Sequence, residues 1–277
     1  MLDPQECLLT VNQIMYLLEV GTNRKFNRKD VTTWENWPSE GMSKYGQPTH
    51  TPIFNEQFLK NRQNNNIFKA FSLLLDSEDL LVSHDRACFF RPTKNVQFPD
   101  GTVKDMPHWK TAYGIHLDIN PYHWMQEDAQ DCIDKWDNLS YGHRLNHFIS
   151  ENNIGHKSAT HVQGVLNLAD NYEEDGGFVC VPGFTHHYEN WYEANKKVLI
   201  NIPTSPSVAF TKDHWLNKHI QRICMRPGSM VIWDSRTPHG SFPNNSSRPR
   251  CVQFIKMFLK TDILSQRALM QRAQTLD

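Results

Sequence analysis

The sequence predicts a mainly β chain. The expected fold is a double-stranded β-helix, or jelly roll, of two facing sheets with helices packed on one outer face. Three observations carry this prediction. Apolar residues recur at helical spacing before Leu80. From Leu80 onward the pattern changes to short strand-like runs separated by Gly, Pro, Asn and Asp turn signals. No composition break, internal repeat or low-complexity tract divides the chain. Residues 1–277 are therefore read as one domain: 1–79 N-terminal helices and a Trp-rich loop, 80–260 the β core, and 261–277 a helical tail.

The first helix is expected over residues 5–20, where Leu8, Leu9, Val11, Ile14, Met15, Leu17, Leu18 and Val20 share helical spacing and Gly21 marks the end. Residues 22–53 are polar and rich in Trp, Pro and Gly, and read as a long loop pinned by its aromatics. Phe58, Leu59, Ile67, Phe68, Phe71 and Leu74 predict a second helix running from about Asn55 to Leu75. The segment L-L-V-S-H-D-R-A-C-F-F-R-P-T then reads as a strand that ends at Pro92, and P-D-G marks a turn in the loop over 93–110. Y-G-I-H-L-D-I-N is a strand. Residues 121–150 are polar and aromatic, with a short helix expected near Asp128–Trp136. T-H-V-Q-G-V-L-N-L, F-V-C-V, M-V-I-W-D and R-C-V-Q-F-I-K-M-F-L read as further strands. N-Y-E-E-D-G-G and R-P-G-S are turns, Glu189–Lys197 is a brief helix, and Ser265–Leu276 is a polar helix.

Bulk properties narrow the function. A net charge of −1 and the lack of a basic block argue against binding a nucleic acid backbone. Cys7, Cys88, Cys132, Cys180, Cys224 and Cys251 are scattered, with no C-x-x-C, so free thiols in a reducing compartment are expected rather than a disulfide framework or a structural zinc site. The start, M-L-D-P-Q-E-C, is acidic where a signal peptide would be basic, and no apolar run reaches membrane-spanning length. A soluble cytoplasmic protein, with neither membrane nor nucleic acid as partner, is the expectation.

The chemistry concentrates in Y-G-I-H-L-D-I-N. Strand side chains alternate, so His116 and Asp118 share one face while Ile115, Leu117 and Ile119 face apolar packing. An imidazole and a carboxylate placed side by side supply two ligands of the facial triad that holds non-haem Fe(II). The best candidate for the third is His239, in W-D-S-R-T-P-H-G-S-F-P-N. Ser241 lies two residues further along, on the same side of an extended chain. Arg250 follows eleven residues after His239, and its planar fork suits a carboxylate. Arg248 is the rival arginine, but Pro249 denies a ladder bond and keeps Arg248 in the loop. Arg91 and Lys94, before the H-x-D strand, are candidates for a substrate anion. His186 and His187 would point to opposite faces of a strand, a poor chelate.

H-x-D, then D-G-G-F-V-C-V-P-G-F-T-H, then R-P-G-S-M-V-I-W-D-S-R-T-P-H-G-S-F-P-N, then the arginine, together resemble the phytanoyl-CoA dioxygenase-like branch of the Fe(II)/2-oxoglutarate oxygenases over roughly residues 80–258. The resemblance implies His116, Asp118 and His239 as iron ligands. It implies that Arg250 and Ser241 bind the far carboxylate of 2-oxoglutarate, with Gln163 as a further contact to that cosubstrate. It also implies a dioxygenase that uses O2, releases succinate and CO2, and hydroxylates or otherwise oxidises a C–H bond. Asp118 favours hydroxylation, since halogenating relatives carry a small residue in its place. Two other readings stay open on the residues alone: a zinc or manganese hydrolase or isomerase on the same fold, and a non-catalytic binding module.

Overall fold

The computed structural model describes residues 1–39, 42–49, 52–118, 162–199 and 207–259. The short helix expected near Asp128–Trp136 and the tail over 261–277 lie outside them.

Helix α1 (Pro4–Gly21) starts on a capping box, in which Asp3 accepts from the Glu6 N–H and Glu6 accepts in return, with Pro4 preset for the first turn. The expected single helix over 55–75 is two helices, α2 (Glu56–Arg62) and α3 (Asn65–Leu75). Asn64 separates them because its side chain accepts from the N–H groups of Asn66 and Ile67 and so caps a new helix instead of continuing the old one. Apolar spacing alone does not reveal such a break.

The strands are β1 (Leu80–Val82), β2 (Ala87–Phe90), β3 (Val96–Gln97), β4 (Val103–Lys104), β5 (Gly114–Leu117), β6 (Val162–Asn167) and β7 (Gly177–Cys180). After helix α4 (Tyr188–Leu199) come β8 (Val208–Ala209), β9 (Gln221–Arg222), β10 (Met230–Asp234), β11 (His239–Phe242), β12 (Arg250–Ile255) and β13 (Met257–Leu259). The expected last strand is thus interrupted at Lys256, and β13 turns away to pair with β1. The P-D-G turn closes the β3–β4 hairpin, with Gly101 at φ +82°.

Two antiparallel sheets form the core, with orders β10-β6-β12-β2 and β8-β5-β11-β7-β9. Side-chain parity assigns their faces. Cys88, Phe90, Val165 and Val252 of the four-stranded sheet meet Phe178 of the five-stranded sheet in the interior. The alternate residues Ala87, Phe89, Val162, Leu166, Cys251 and Ile255 pack outward against Ile14, Leu18, Phe58, Ile67 and Phe71 of α1, α2 and α3. The N-terminal helices therefore cover one outer face, as the sequence predicts. The Trp-rich loop is pinned there too: Trp34 and Trp37 pack against Phe26 and Phe89. A smaller apolar cluster lies on the other outer face, where Tyr188 of α4 covers Ile115, Leu117 and Val179. No described helix is long and apolar enough to cross a membrane. Cys7, Cys88, Cys180, Cys224 and Cys251 carry free thiols.

Candidate active site

The register of β5 and β11 builds the site. His239 is the direct antiparallel partner of His116, and Ser241 that of Gly114. Directly opposed residues project to the same face a few ångströms apart. The rings of His116 and His239 consequently lie 4.7 Å apart, centroid to centroid. Asp118, just past the end of β5, keeps the parity of His116 and turns its carboxylate between the two imidazoles. Its Oδ1 is 3.1 Å from His116 Nε2 and its Oδ2 is 3.5 Å from His239 Nε2. The available ligand atoms of the three residues all lie within 4.8 Å of one another, the one such cluster found among the described residues.

Two ligands about 2.1 Å from one ion and at right angles are about 3.0 Å apart, so the 3.1 and 3.5 Å separations of Asp118 from the two imidazoles suit a single cation. The donor chemistry suits it as well. His239 Nδ1 lies 3.0 Å from the Thr237 carbonyl; an N–H there donates to that oxygen and leaves the Nε2 lone pair directed at the cluster. Burial alone would raise the Asp118 carboxyl, but hydrogen bonding to the neighbouring imidazoles, His116 foremost, holds it well below the ordinary carboxylate range. Burial lowers the His239 imidazole despite Asp118, which favours the neutral, ligating form.

Arg250 points into the same interior. It is 2% exposed, and among the described residues no carboxylate lies within ion-pair reach of it. Its guanidinium sits over the Phe90 ring, 4.8 Å from the centroid, and 3.8 Å from the Cys88 sulfur, while its Nε has no hydrogen-bond partner. Burial lowers its pKa. Gly177, at φ +111°, leaves room for the guanidinium, since a Cβ there would stand 2.4 Å from Arg250 Nε. Gln163 shares the inner face with Val165 and is 2% exposed, and its Nε2 is likewise without a partner. Ser241 has the parity of His239 on β11 and is partly buried.

Arg91 is not brought to this group. It lies beyond Phe89 and has that residue's outward parity. Its guanidinium is held between the Trp37 and Trp109 rings at 4.6 and 4.9 Å. Lys94 pairs with Asp105 on the surface at 2.5 Å. Arg248 is satisfied outside the interior by Glu174 at 2.6 Å and Asp175 at 2.8 Å. His186 and His187 occupy a one-turn 3-10 helix (Phe184–His187) rather than a strand, and both are exposed.

Two neighbours of the cluster escape the sequence argument. Lys256 brings its Nζ to 4.0 Å from Asp118 Oδ2. Its signal was present, because Lys256 shares the parity of Arg250 in R-C-V-Q-F-I-K. Trp233, expected as plain core, sets its ring 4.9 Å from that of His239 at a tilt of 54°, Phe178 stacks on His239 at 6.1 Å, and the buried Trp233 Nε1 has no partner.

Two histidines and an aspartate thus converge inside a mostly β protein of antiparallel sheets, a jelly roll. The family model described as phytanoyl-CoA dioxygenase (PhyH) matches residues 139–252, which take in His239, Ser241 and Arg250 and begin after Asp118. A Dictyostelium discoideum protein carrying the phytanoyl-CoA dioxygenase name is 43% identical over 267 residues, covering 95% of this chain and 72% of that protein. The chain belongs to the phytanoyl-CoA dioxygenase family. Its fold matches the crystal structure of the Candida albicans GlcNAc Inducible Gene 2 protein, with TM-score 0.57 at 15% identity over 92% of this chain. An Escherichia coli protein matches with TM-score 0.55 at 12% identity, also over 92% of this chain. The chain spans 58% and 63% of the length of those two structures.

Proposed function

We propose that this chain is a non-haem Fe(II)- and 2-oxoglutarate-dependent dioxygenase that oxidises a C–H bond of a small-molecule substrate, with succinate and CO2 as co-products. The observation that carries the reading is Arg250. A buried guanidinium without an anion is costly, and it lies in the same interior as the His–Asp–His cluster. A hydrolytic metal site needs only the cluster and leaves Arg250 without a task. A dicarboxylate cosubstrate gives it one.

In this reading His116, Asp118 and His239 hold Fe(II), which together with 2-oxoglutarate and O2 supplies the oxidising chemistry. The chain's own residues bind, orient and exclude water. The Thr237 carbonyl fixes the His239 tautomer, so Nε2 is always the ligating atom. Arg250 receives the far carboxylate of 2-oxoglutarate as a bidentate pair, with the Ser241 hydroxyl and the Gln163 amide as further donors. Phe178 and Trp233 cover one side of His239 with apolar surface and keep bulk water from the reacting region. Lys256 holds positive charge beside Asp118 and restrains that carboxylate.

The test is anaerobic loading of the purified chain with Fe(II) and 2-oxoglutarate, followed by exposure to O2 and measurement of succinate. Succinate that depends on all three components supports the reading. Metal-dependent hydrolysis without 2-oxoglutarate would replace it with the zinc or manganese alternative. Absence of both activities, with no Fe(II) binding, would leave a binding module.

A further inference from the structure

A cavity of about 390 Å³ lies where the Trp-rich loop meets the segment leading into β5. Its volume falls in the range of small-ligand pockets. None of His116, Asp118, His239, Ser241, Arg250 or Gln163 lines it. Lys110, Thr111 and Ala112 line it, and from there β5 runs away toward His116. Arg91, moreover, faces outward from the sheet whose inner face carries Arg250. The cavity is thus separate from the proposed oxygenase site.

Its lining has one sign of charge. Lys44, Arg91, His108 and Lys110 contribute, and no described carboxylate does. Arg91 is the fixed point. The Trp37 and Trp109 rings grip its guanidinium on both sides, and one N–H group donates to the Trp34 carbonyl at 2.7 Å. A guanidinium has five N–H groups in one plane, so the clamp presents the remaining edge in a set orientation. The other cations are only weakly occupied. Lys110 Nζ donates to a neutral acceptor, Asn245 Oδ1, at 2.8 Å, and Lys44 Nζ lies 5.0 Å from the Tyr45 ring centroid. The nearby acid Glu35 is engaged with His108 at 2.8 Å. A buried Thr111 hydroxyl without a partner also belongs to the lining.

We infer that this cavity is a binding site for a small organic phosphate monoester. Arg91 would form the floor contact, Lys44 and Lys110 would close on the phosphate oxygens from the rim, and the organic body would rest on Phe89 and the indoles. The charge count favours a phosphate over a simple carboxylate. Glu35 offsets part of the Arg91 charge, so Lys44, Arg91 and Lys110 leave an excess of about two positive charges, more than one carboxylate neutralises, whereas a phosphate monoester carries about −1.5 to −2 at neutral pH.

Calorimetric titration of the full chain, without iron or 2-oxoglutarate, tests this with phenyl phosphate as the probe. Benzoate and phenol are the comparison ligands. Saturable one-to-one binding of phenyl phosphate is expected, at least about tenfold tighter than benzoate and absent for phenol. Lys44→Gln/Lys110→Gln should weaken binding about tenfold with unchanged thermal unfolding, since both side chains are exposed. Arg91→Gln should abolish it. Adding 2-oxoglutarate to saturation should leave the titration unchanged, which keeps this result independent of the proposed catalytic site. The inference is overturned by any of three outcomes: no saturable binding at millimolar phenyl phosphate, binding unaffected by the double lysine variant, or binding of benzoate as tight as that of phenyl phosphate.

Discussion

The two faces of β12 treat buried polar groups in opposite ways. On the outward face, Gln253 is 0% exposed and fully engaged: its Oε1 accepts from Asn61 Nδ2 at 2.7 Å and its Nε2 donates to the Phe58 carbonyl at 3.2 Å. Asn61 in turn donates to Thr10 Oγ1 and accepts from Gln57 Nε2, so one network ties α1 and α2 to the sheet. On the inward face, Arg250 is as deeply buried, yet it has a sulfur, a ring and no anion among the described residues. Gln163 on neighbouring β6 has an orphaned amide nitrogen. Burying an unpaired polar group costs about 1–3 kcal/mol, and an unpaired charge costs more. The outward face is complete as a folding element. The inward face carries the polar groups that the proposed cosubstrate would engage.

The largest expected effect separates the cluster from everything around it. Asp118→Ala removes the only anionic ligand of the proposed site, so Fe(II) binding and succinate formation should both be lost. Wild-type 2-oxoglutarate turnover in that variant would contradict the assignment of Asp118. Next comes Arg250→Ala, which should weaken 2-oxoglutarate affinity at least about a hundredfold, near 2.7 kcal/mol, while sparing metal binding. A shift of less than threefold would mean that the cosubstrate carboxylate lies elsewhere.

A third pair of variants addresses the contrast between faces directly. Without ligand, Arg250→Met removes an uncompensated buried charge and should leave stability unchanged or raise it by up to about 3 kcal/mol. Asn61→Ala, on the outward face, should cost about 1–3 kcal/mol by leaving Gln57 Nε2 and Gln253 Oε1 without their Asn61 partner. Urea unfolding of both measures this, and a strongly destabilised Arg250→Met would show that the arginine already has its partner. In the wild type, 2-oxoglutarate at about 100 times its Kd should add about 2.7 kcal/mol of stability, and Arg250→Met should abolish that gain. The smallest expected effect is on Arg248→Ala. It breaks the pairs with Glu174 and Asp175 but should change 2-oxoglutarate affinity less than threefold. A larger loss than in Arg250→Ala would reverse the roles of the two arginines.

Much of this contrast was legible in the sequence, and the reason is parity. Period-two alternation puts His116 with Asp118, and Arg250 with Val252, on common faces whatever the rest of the chain does. The end of α1 at Gly21 and the P-D-G turn are similarly local, and both appear where the sequence puts them. Pro249 correctly marks Arg248 as a loop residue. The break between α2 and α3 was missed because an asparagine cap competes with helix continuation over only a few atoms, a difference that apolar spacing does not register.

The sequence alone, then, determined which residues form helices and strands in broad terms, which side chains share a face, and which residue types are equipped to ligate a metal or grip a carboxylate. These are properties of near neighbours along the chain, fixed by backbone geometry. Only the tertiary structure decided that His239 stands opposite His116, that Lys256 reaches Asp118, and that Arg91 is clamped between two indoles on the outside of the barrel. Each depends on strand register or loop packing between segments far apart in sequence. Register shifts by one residue leave local periodicity intact while moving every side chain to the opposite face, so local pattern cannot choose among them.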